Sequence, residues 1–107
     1  MTEELNNFNT DCKDLFMQNK IDDIITALED KSDADVLELL HANYDVVNKY
    51  YTSEKFDLLF TYFKFVAYSC FFVEYATKRG ILSAAEQAPM MEVFSTIFTM
   101  YQTRNKQ

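Results

Sequence analysis

Residues that form tight turns are almost missing from this chain, which has one glycine and one proline among 107 residues. A β-sandwich or β-barrel needs such residues at turn after turn, so an all-β fold is disfavoured. Hydrophobic residues make up 49% of the chain, which is enough to form a core. The length fits one folding unit. The sequence therefore predicts an all-α protein in which residues 1–107 form one domain, a single antiparallel bundle of four to five helices.

Apolar residues recur at steps of three and four in the first quarter of the chain, which is the spacing of one helix face. They predict a helix over residues 3–18 and helical structure over residues 21–29. Asn19 and Lys20 lie between them, so the second segment is either a separate short helix or an extension of the first. The two apolar sets are Leu5, Phe8, Cys12, Leu15 and Phe16, then Ile21, Ile24, Ile25 and Leu28.

A polar run at residues 30–33 predicts the start of the next helix. A Ser or Asp side chain at such a position accepts hydrogen bonds from the first backbone N–H groups of a helix. The helix then carries a periodic apolar set, namely Val36, Leu37, Leu40, Tyr44, Val47 and Tyr51. Thr52 and Ser53 form the following link, with Ser53 as the predicted N-cap of the helix after it.

The segment 56–76 carries nine aromatic side chains and has apolar residues on two faces of a predicted helix. A helix that packs on one neighbour needs only one apolar stripe. The broader stripe is predicted to face the core. The second stripe consists of Leu58, Phe65 and Phe72 at intervals of seven residues, with Tyr75 on its flank. Either this helix is central and buried on all sides, or its second stripe contacts a second copy or another protein.

The end of this long helix is marked by the basic pair 78–79 and by Gly80, the only glycine. Positive charge is favourable at a helix C-terminus, and glycine readily adopts the left-handed conformation that follows it. Ser83 and Glu86 have the spacing of a capping box, which predicts a new helix. Pro89 leaves two alternatives: either the last helix begins at Pro89, or a longer helix is kinked there.

The formal net charge is −7, and residues 1–45 hold twelve carboxylates against three lysines. Binding to nucleic acid or to anionic lipid relies on lysine and arginine, so neither partner is expected. The carboxylates either form a solvated face or form a docking surface for a basic protein. The acidic residues predicted to contact such a partner are Asp22, Asp23, Asp30, Asp33 and Asp35.

Residue sets for catalysis, metal binding or phosphate binding are not recognisable. His41 is the only histidine, and Cys12 and Cys70 lie far apart and outside a Cys-x-x-Cys pair. We therefore expect no enzyme activity, no cofactor and no metal. Two free thiols and an N-terminus without signal-peptide character predict a cytoplasmic protein. The apolar stretch 58–73 has Lys64 at its centre and is too short to span a membrane.

Three short motifs lie in the second half of the chain, YFKFVAY at 62–68, KRGILS at 78–83 and EQ at 86–87. Over about residues 58–97, their aromatic spacing, turn and cap resemble the third and fourth helices of small bacteriocin immunity proteins. The resemblance implies a cytoplasmic four-helix antiparallel bundle that protects its producer by acting on a receptor–toxin complex, with the C-terminal segment involved in recognition. The acidity of this chain departs from the more basic character that is usual in that family.

These patterns predict a non-enzymatic, small acidic helical protein that binds a protein partner, as immunity or inhibitor proteins do. Its predicted apolar anchors are Leu58, Phe65, Phe72 and Tyr75. One alternative is a structural homo-oligomer, such as a homodimer through the second stripe, and another is a small-molecule binder that uses the aromatic core. Phe65→Asp is predicted to abolish association while helix content stays intact. Loss of the fold would instead indicate that the stripe is core, because a buried unpaired charge is costly.

Overall fold

The computed structural model describes residues 1–105, and every regular element in this range is an α-helix. The predicted all-α class is confirmed. Six helices are present in the described range instead of the expected four to five, because the chain breaks both after α1 and inside the long aromatic segment. The helices are α1 (Glu3–Met17), α2 (Ile21–Glu29), α3 (Asp33–Thr52), α4 (Phe56–Thr61), α5 (Phe63–Arg79) and α6 (Ala84–Asn105).

Local backbone chemistry sets most of the helix ends. Asn19 has a φ of 62°, a left-handed conformation that asparagine tolerates, and it separates α1 from α2. Ser32 is the N-cap of α3 and accepts a hydrogen bond from the Asp35 N–H at 3.1 Å. The prediction for Ser53 is wrong. Ser53 is the C-cap of α3, and α4 begins after Lys55 without a side-chain cap.

The turn between α5 and α6 follows the sequence prediction closely. Gly80 has a φ of 82°, and the Ile81 N–H donates back to the Ala76 carbonyl at 3.1 Å. The Ser83 hydroxyl accepts from the Glu86 N–H at 3.2 Å, as a capping box requires. Helix α6 continues through Pro89, so the alternative of a helix that begins at Pro89 is excluded.

Helix α5 lies at the centre of the fold together with α3, and it contacts α1, α3, α4 and α6. It runs in the opposite direction to α3, because Arg79 near its end binds Asp33 at the start of α3, and Ser69 near its middle donates to the Asn43 carbonyl. Both faces of α5 are therefore covered over most of its length. Its fully buried apolar side chains include Tyr68, Phe72, Val73 and Ala76, packed with Val36, Leu39, Leu40 and Val47 of α3 and with Phe94 and Ile97 of α6.

A buried polar network fixes the position of α1 against α3 and α5. Asn43 Nδ2 donates to Asn9 Oδ1 at 3.0 Å and to the Leu39 carbonyl at 2.9 Å. The Tyr68 hydroxyl donates to the same Asn9 Oδ1 at 2.6 Å. Because the two bonds to Asn9 need a particular register of α1, the network sets which residues of α1 lie beside α5.

Arg79 ties the far end of α5 to the link between α2 and α3. Its guanidinium donates to the carbonyls of Leu28 at 3.0 Å and Lys31 at 2.6 Å, and its Nε lies 3.0 Å from Asp33 Oδ1. The carbonyls at the C-terminus of α2 lack helical partners, and a cation there is favourable. This contact closes the end of the molecule opposite to the start of α5.

Helix α4 is held against α3 and α6 by aromatic contacts, at the end of the molecule where α5 begins. The Tyr51 and Phe56 rings are edge to face with centroids 6.0 Å apart, and the Phe60 ring lies 5.9 Å from that of Tyr101. The Phe63 ring stacks on Tyr101 at 3.8 Å. One side of α4 is thus fixed to α6, and its other side faces α1 and α3.

Candidate functional site

The long aromatic segment is interrupted at Tyr62, which ends α4 and begins α5. Its backbone leaves the helical region, with φ −104° and ψ 38°, and its side chain caps neither helix. The Tyr62 N–H donates to the Leu58 carbonyl at 3.0 Å, and the Tyr62 carbonyl accepts from Phe65 at 2.9 Å. The break turns α4 relative to α5. It therefore removes Leu58 from the line of Phe65 and Phe72 on a single helix.

An apolar groove of about 370 Å³ lies beside this break. Its floor is formed by core residues Val47, Leu59 and Val66, each of which is buried. The walls come from α1, α3, α4 and the first turn of α5. The complete lining is Lys13, Met17, Val46, Val47, Tyr50, Leu58, Leu59, Tyr62, Phe65 and Val66.

Large hydrophobic side chains that the described residues leave exposed gather at the rim of this groove. Met17, Val46 and Leu58 keep 42%, 41% and 40% of their surface in contact with solvent, and Tyr62 keeps 62%. The remaining large exposed hydrophobic residue in the described range is Met1. Single exposed apolar residues are ordinary, but four of them, from three helices and the link at Tyr62, surround one concave surface, which makes this groove the candidate site.

Lys13 is the only charged residue among those that line the groove. Its ammonium lies 5.0 Å from the centroid of the Phe65 ring, a cation–π contact at the wall of the groove. The other polar groups of the lining are the hydroxyls of Tyr50 and Tyr62. No acidic side chain of residues 1–105 lines the groove. The site is thus apolar with a single positive charge.

The predicted apolar anchors do not form one surface. Leu58 and Phe65 both line the groove, Phe65 as a half-buried residue. Phe72 is fully buried, with its ring edge to face against Tyr68 at 5.1 Å, so the expected exposed stripe does not extend to it. Tyr75 is half-buried one turn before Arg79, to which its hydroxyl is bonded at 3.2 Å. For Phe72, the alternative of a central helix buried on both faces is the correct one.

The predicted acidic residues lie outside the groove. Asp22 and Asp23 are exposed in the first turn of α2, where the helix dipole favours negative charge. Asp30 is the exposed C-cap of α2, and Asp33 and Asp35 stand in the first turn of α3. Asp33 is paired with Arg79, so part of the negative potential at that end is neutralised.

The two cysteines are buried within the fold. Burial raises the pKa of the Cys12 thiol to about 11, and the nearby Asp11 acts in the same direction. Burial, together with Glu74, raises the pKa of Cys70 to about 12. The thiolate is the reactive form of cysteine, so both side chains are unreactive near neutral pH in the folded protein.

Residues 1–105 contain no cluster of three or more His, Cys, Asp or Glu side chains arranged to hold a metal ion. Crossing a bilayer requires a length and an apolar character that none of the helices in this range combines.

Comparison with protein-family models, with curated proteins and with solved structures finds no match for this chain. The resemblance to bacteriocin immunity proteins therefore stays a prediction from the motifs at 62–68, 78–83 and 86–87.

Four residues of the groove were not predicted from the sequence, namely Lys13, Met17, Val46 and Tyr62. A signal was present: Met17, Val46 and Tyr62 are apolar or aromatic residues that stand outside the periodic set of the helix in which they occur. Each is adjacent in sequence to a residue of the core face, so periodicity alone hides it. Their convergence depends on the packing of α1, α3 and α4, which no single helix reveals.

Proposed function

We propose that this chain is a non-enzymatic binding protein that docks a protein partner in the groove between α1, α3, α4 and the start of α5. The observation that carries the proposal is the position of Met17, Val46, Leu58 and Tyr62, four exposed hydrophobic residues around one concavity. Burial of apolar surface stabilises a complex, and these four side chains are exposed in the unbound protein, so a partner can bury them.

The residue types at the rim favour a protein surface as the occupant. Methionine and aromatic residues are enriched in the cores of protein interfaces, and tyrosine is frequent among the residues that dominate binding energy. Tyr62 offers a large ring at low cost in conformational entropy, and Met17 adapts its shape to a partner. The floor beneath them is packed core, which makes the site largely preformed.

We infer that the helices form an antiparallel bundle around α5, which keeps the groove rigid. The exposed carboxylates of Asp22, Asp23 and Asp30, with the half-buried Asp35, are proposed to attract a partner with basic regions and to speed its encounter. A role as an immunity or inhibitor-type protein in the cytoplasm, without nucleic-acid binding, is consistent with such docking and stays a prediction.

A small-molecule ligand is the second candidate, and the volume of the groove favours it. At about 370 Å³, the groove falls within the range of about 300–1,000 Å³ in which proteins bind small ligands. A ligand of this kind would be apolar, with one anionic or hydrogen-bonding group near Lys13. A homodimer, the third candidate, would place the rim of one copy against that of another.

The test is quantitative capture of partners from cells that produce the protein, with three tagged baits. The baits are the wild type, Leu58→Asp, and Ser95→Asp as a matched control at an exposed position of α6 outside the groove. We expect one protein to be captured by the wild type and the control and to be lost with Leu58→Asp. Equal capture by all three baits would contradict the proposal. Capture of a second copy alone would favour the homodimer, and a co-purifying small molecule, detected by native mass spectrometry, would favour the second candidate.

A further inference from the structure

The groove presents three ridges that each consist of two side chains four residues apart. These pairs are Lys13 and Met17 on α1, Val46 and Tyr50 on α3, and Leu58 and Tyr62 at the end of α4. Rows at this spacing are the ridges between which the side chains of another helix pack. The walls therefore have the relief of a helix-packing surface.

The backbone around the groove has little to offer an extended segment. Extended peptides gain much of their affinity from main-chain hydrogen bonds to a free strand edge. Every lining residue except Tyr62 lies in a helix, and none belongs to a strand with a free edge. A helical partner satisfies its own backbone and needs only apolar contact, which is what this site supplies.

The charge of the groove adds a requirement on the partner. Lys13 is half-buried at the wall, and a partner that covers it removes more water from its ammonium. A buried charge without a partner is costly, and the lining contains no carboxylate to offset that cost. A carboxylate on the incoming surface does so, whereas a lysine or arginine there is repelled.

We propose that the groove receives one amphipathic α-helix of the partner protein, with apolar side chains at positions i, i+3 or i+4 and i+7 inside it and an aspartate or glutamate against Lys13. This inference rests on the proposed function and adds the conformation and charge of the recognised segment. It is compatible with a partner that is basic elsewhere. Asp33 pairs with Arg79, which follows Phe65 by fourteen positions in α5, about 21 Å along the helix axis, so this acidic region lies far from the groove.

The test uses a library of linear random peptides displayed on phage and selected against the full chain. We expect the enriched peptides to show the helical spacing of apolar residues, to carry an acidic residue on one flank, and to gain helical circular dichroism on binding. The affinity of the best peptide is then measured by fluorescence anisotropy for the wild type, Leu58→Asp, Lys13→Glu and the control Lys78→Glu. Lys78 is exposed at the end of α5 away from the groove.

Leu58→Asp is expected to weaken binding by about tenfold or more, since it places a charge among the apolar anchors. Lys13→Glu is expected to weaken it by about fivefold or more, and exchange of the acidic peptide residue for lysine should restore affinity for this variant. Lys78→Glu should bind as the wild type does. Circular dichroism of each variant verifies that the fold is retained.

The outcomes separate the inference from the function on which it rests. Peptides that need Leu58 but carry no acidic residue and bind Lys13→Glu as tightly as the wild type would overturn the inference and leave the docking function intact. Proline-rich or extended peptides in the groove would do the same. Peptides that are insensitive to Leu58→Asp, or no enriched peptide at all, would overturn both.

Discussion

Leu58 and Phe72 were expected to belong to one apolar stripe, and the structure assigns them to different environments. Phe72 is fully buried between Tyr68 and Phe71, with ring centroids 5.1 Å and 5.6 Å away. Leu58 keeps 40% of its surface exposed. Truncation of the two side chains to alanine should therefore cost very different amounts of stability, although the two positions looked equivalent on a helical wheel.

Phe72→Ala leaves a cavity in the centre of the protein, and such substitutions cost about 3–5 kcal/mol. That is a large part of the about 5–15 kcal/mol that stabilises a typical domain. Complete burial of a leucine contributes about 1.5–3 kcal/mol, so the partly exposed Leu58 should cost about 1–2 kcal/mol on truncation.

Urea denaturation followed by circular dichroism measures both free energies of unfolding. With a slope of about 1–3 kcal/mol per molar urea, the midpoint of Phe72→Ala should fall clearly below that of Leu58→Ala. Leu58→Val is a milder companion to Leu58→Ala and should be nearly neutral. A loss of stability in Leu58→Ala as large as that in Phe72→Ala would refute the reasoning, because Leu58 would then belong to the core and the groove would not be free.

Four further outcomes are expected. Phe65→Asp should abolish partner binding and leave helix content intact by circular dichroism, and unfolding of this variant would contradict the placement of Phe65 at the wall of the groove. Gly80→Ala should lower the unfolding free energy by about 1 kcal/mol, because an L side chain is strained at a φ of 82°. A steric clash does not contribute, since no atom lies within 4 Å of the added methyl group. Tyr68→Phe should cost about 1–2 kcal/mol in urea denaturation, since it removes a buried hydrogen bond. Burial raises the pKa of the Cys12 thiol from 9.0 to about 11 and that of Cys70 to about 12. The stability that depends on their neutral forms is therefore complete below pH 9 and is lost as pH rises towards these values. The midpoint of urea denaturation should fall between pH 9 and pH 11, and it should fall less in Cys12→Ala.

Local chemistry made the helix ends at Ser32, Gly80 and Ser83 predictable. Each end depends on a side-chain cap or a left-handed glycine that acts within a few residues, and both can be recognised in the sequence. The break after α1 was foreseen as one of two alternatives, and the positive φ of Asn19 decides it.

The break at Tyr62 was not predictable from the same signals. No glycine, proline or capping side chain marks it, and the apolar period runs through it without interruption. Its cause is tertiary, since Phe60 and Phe63 both pack on Tyr101 of α6, and Phe56 packs on Tyr51 of α3. Helix propensity depends only on neighbours in sequence, so it favours one continuous helix.

Only part of the candidate site could be predicted from the sequence, because its residues come from several helices. Leu58 and Phe65 were identified because they stand outside the core stripe of their own segment. Phe72 was included among the predicted partner contacts, with burial in the core as the open alternative, because the packing around that part of α5 cannot be read from the sequence of α5. Met17 and Val46 belong to other helices, and only the folded chain brings them to Leu58.

The central claim is that the rim of the groove is where a protein partner sits, and photo-crosslinking at Tyr62 tests it most directly. A benzoylphenylalanine in place of Tyr62 keeps an aromatic ring at a position that is 62% exposed, and the same residue in place of Ser95 on α6 serves as the control. In cells that produce the protein, irradiation should link position 62 to one partner protein and position 95 to none. Crosslinks to the same protein from both positions with equal yield, or none from position 62, would contradict the account.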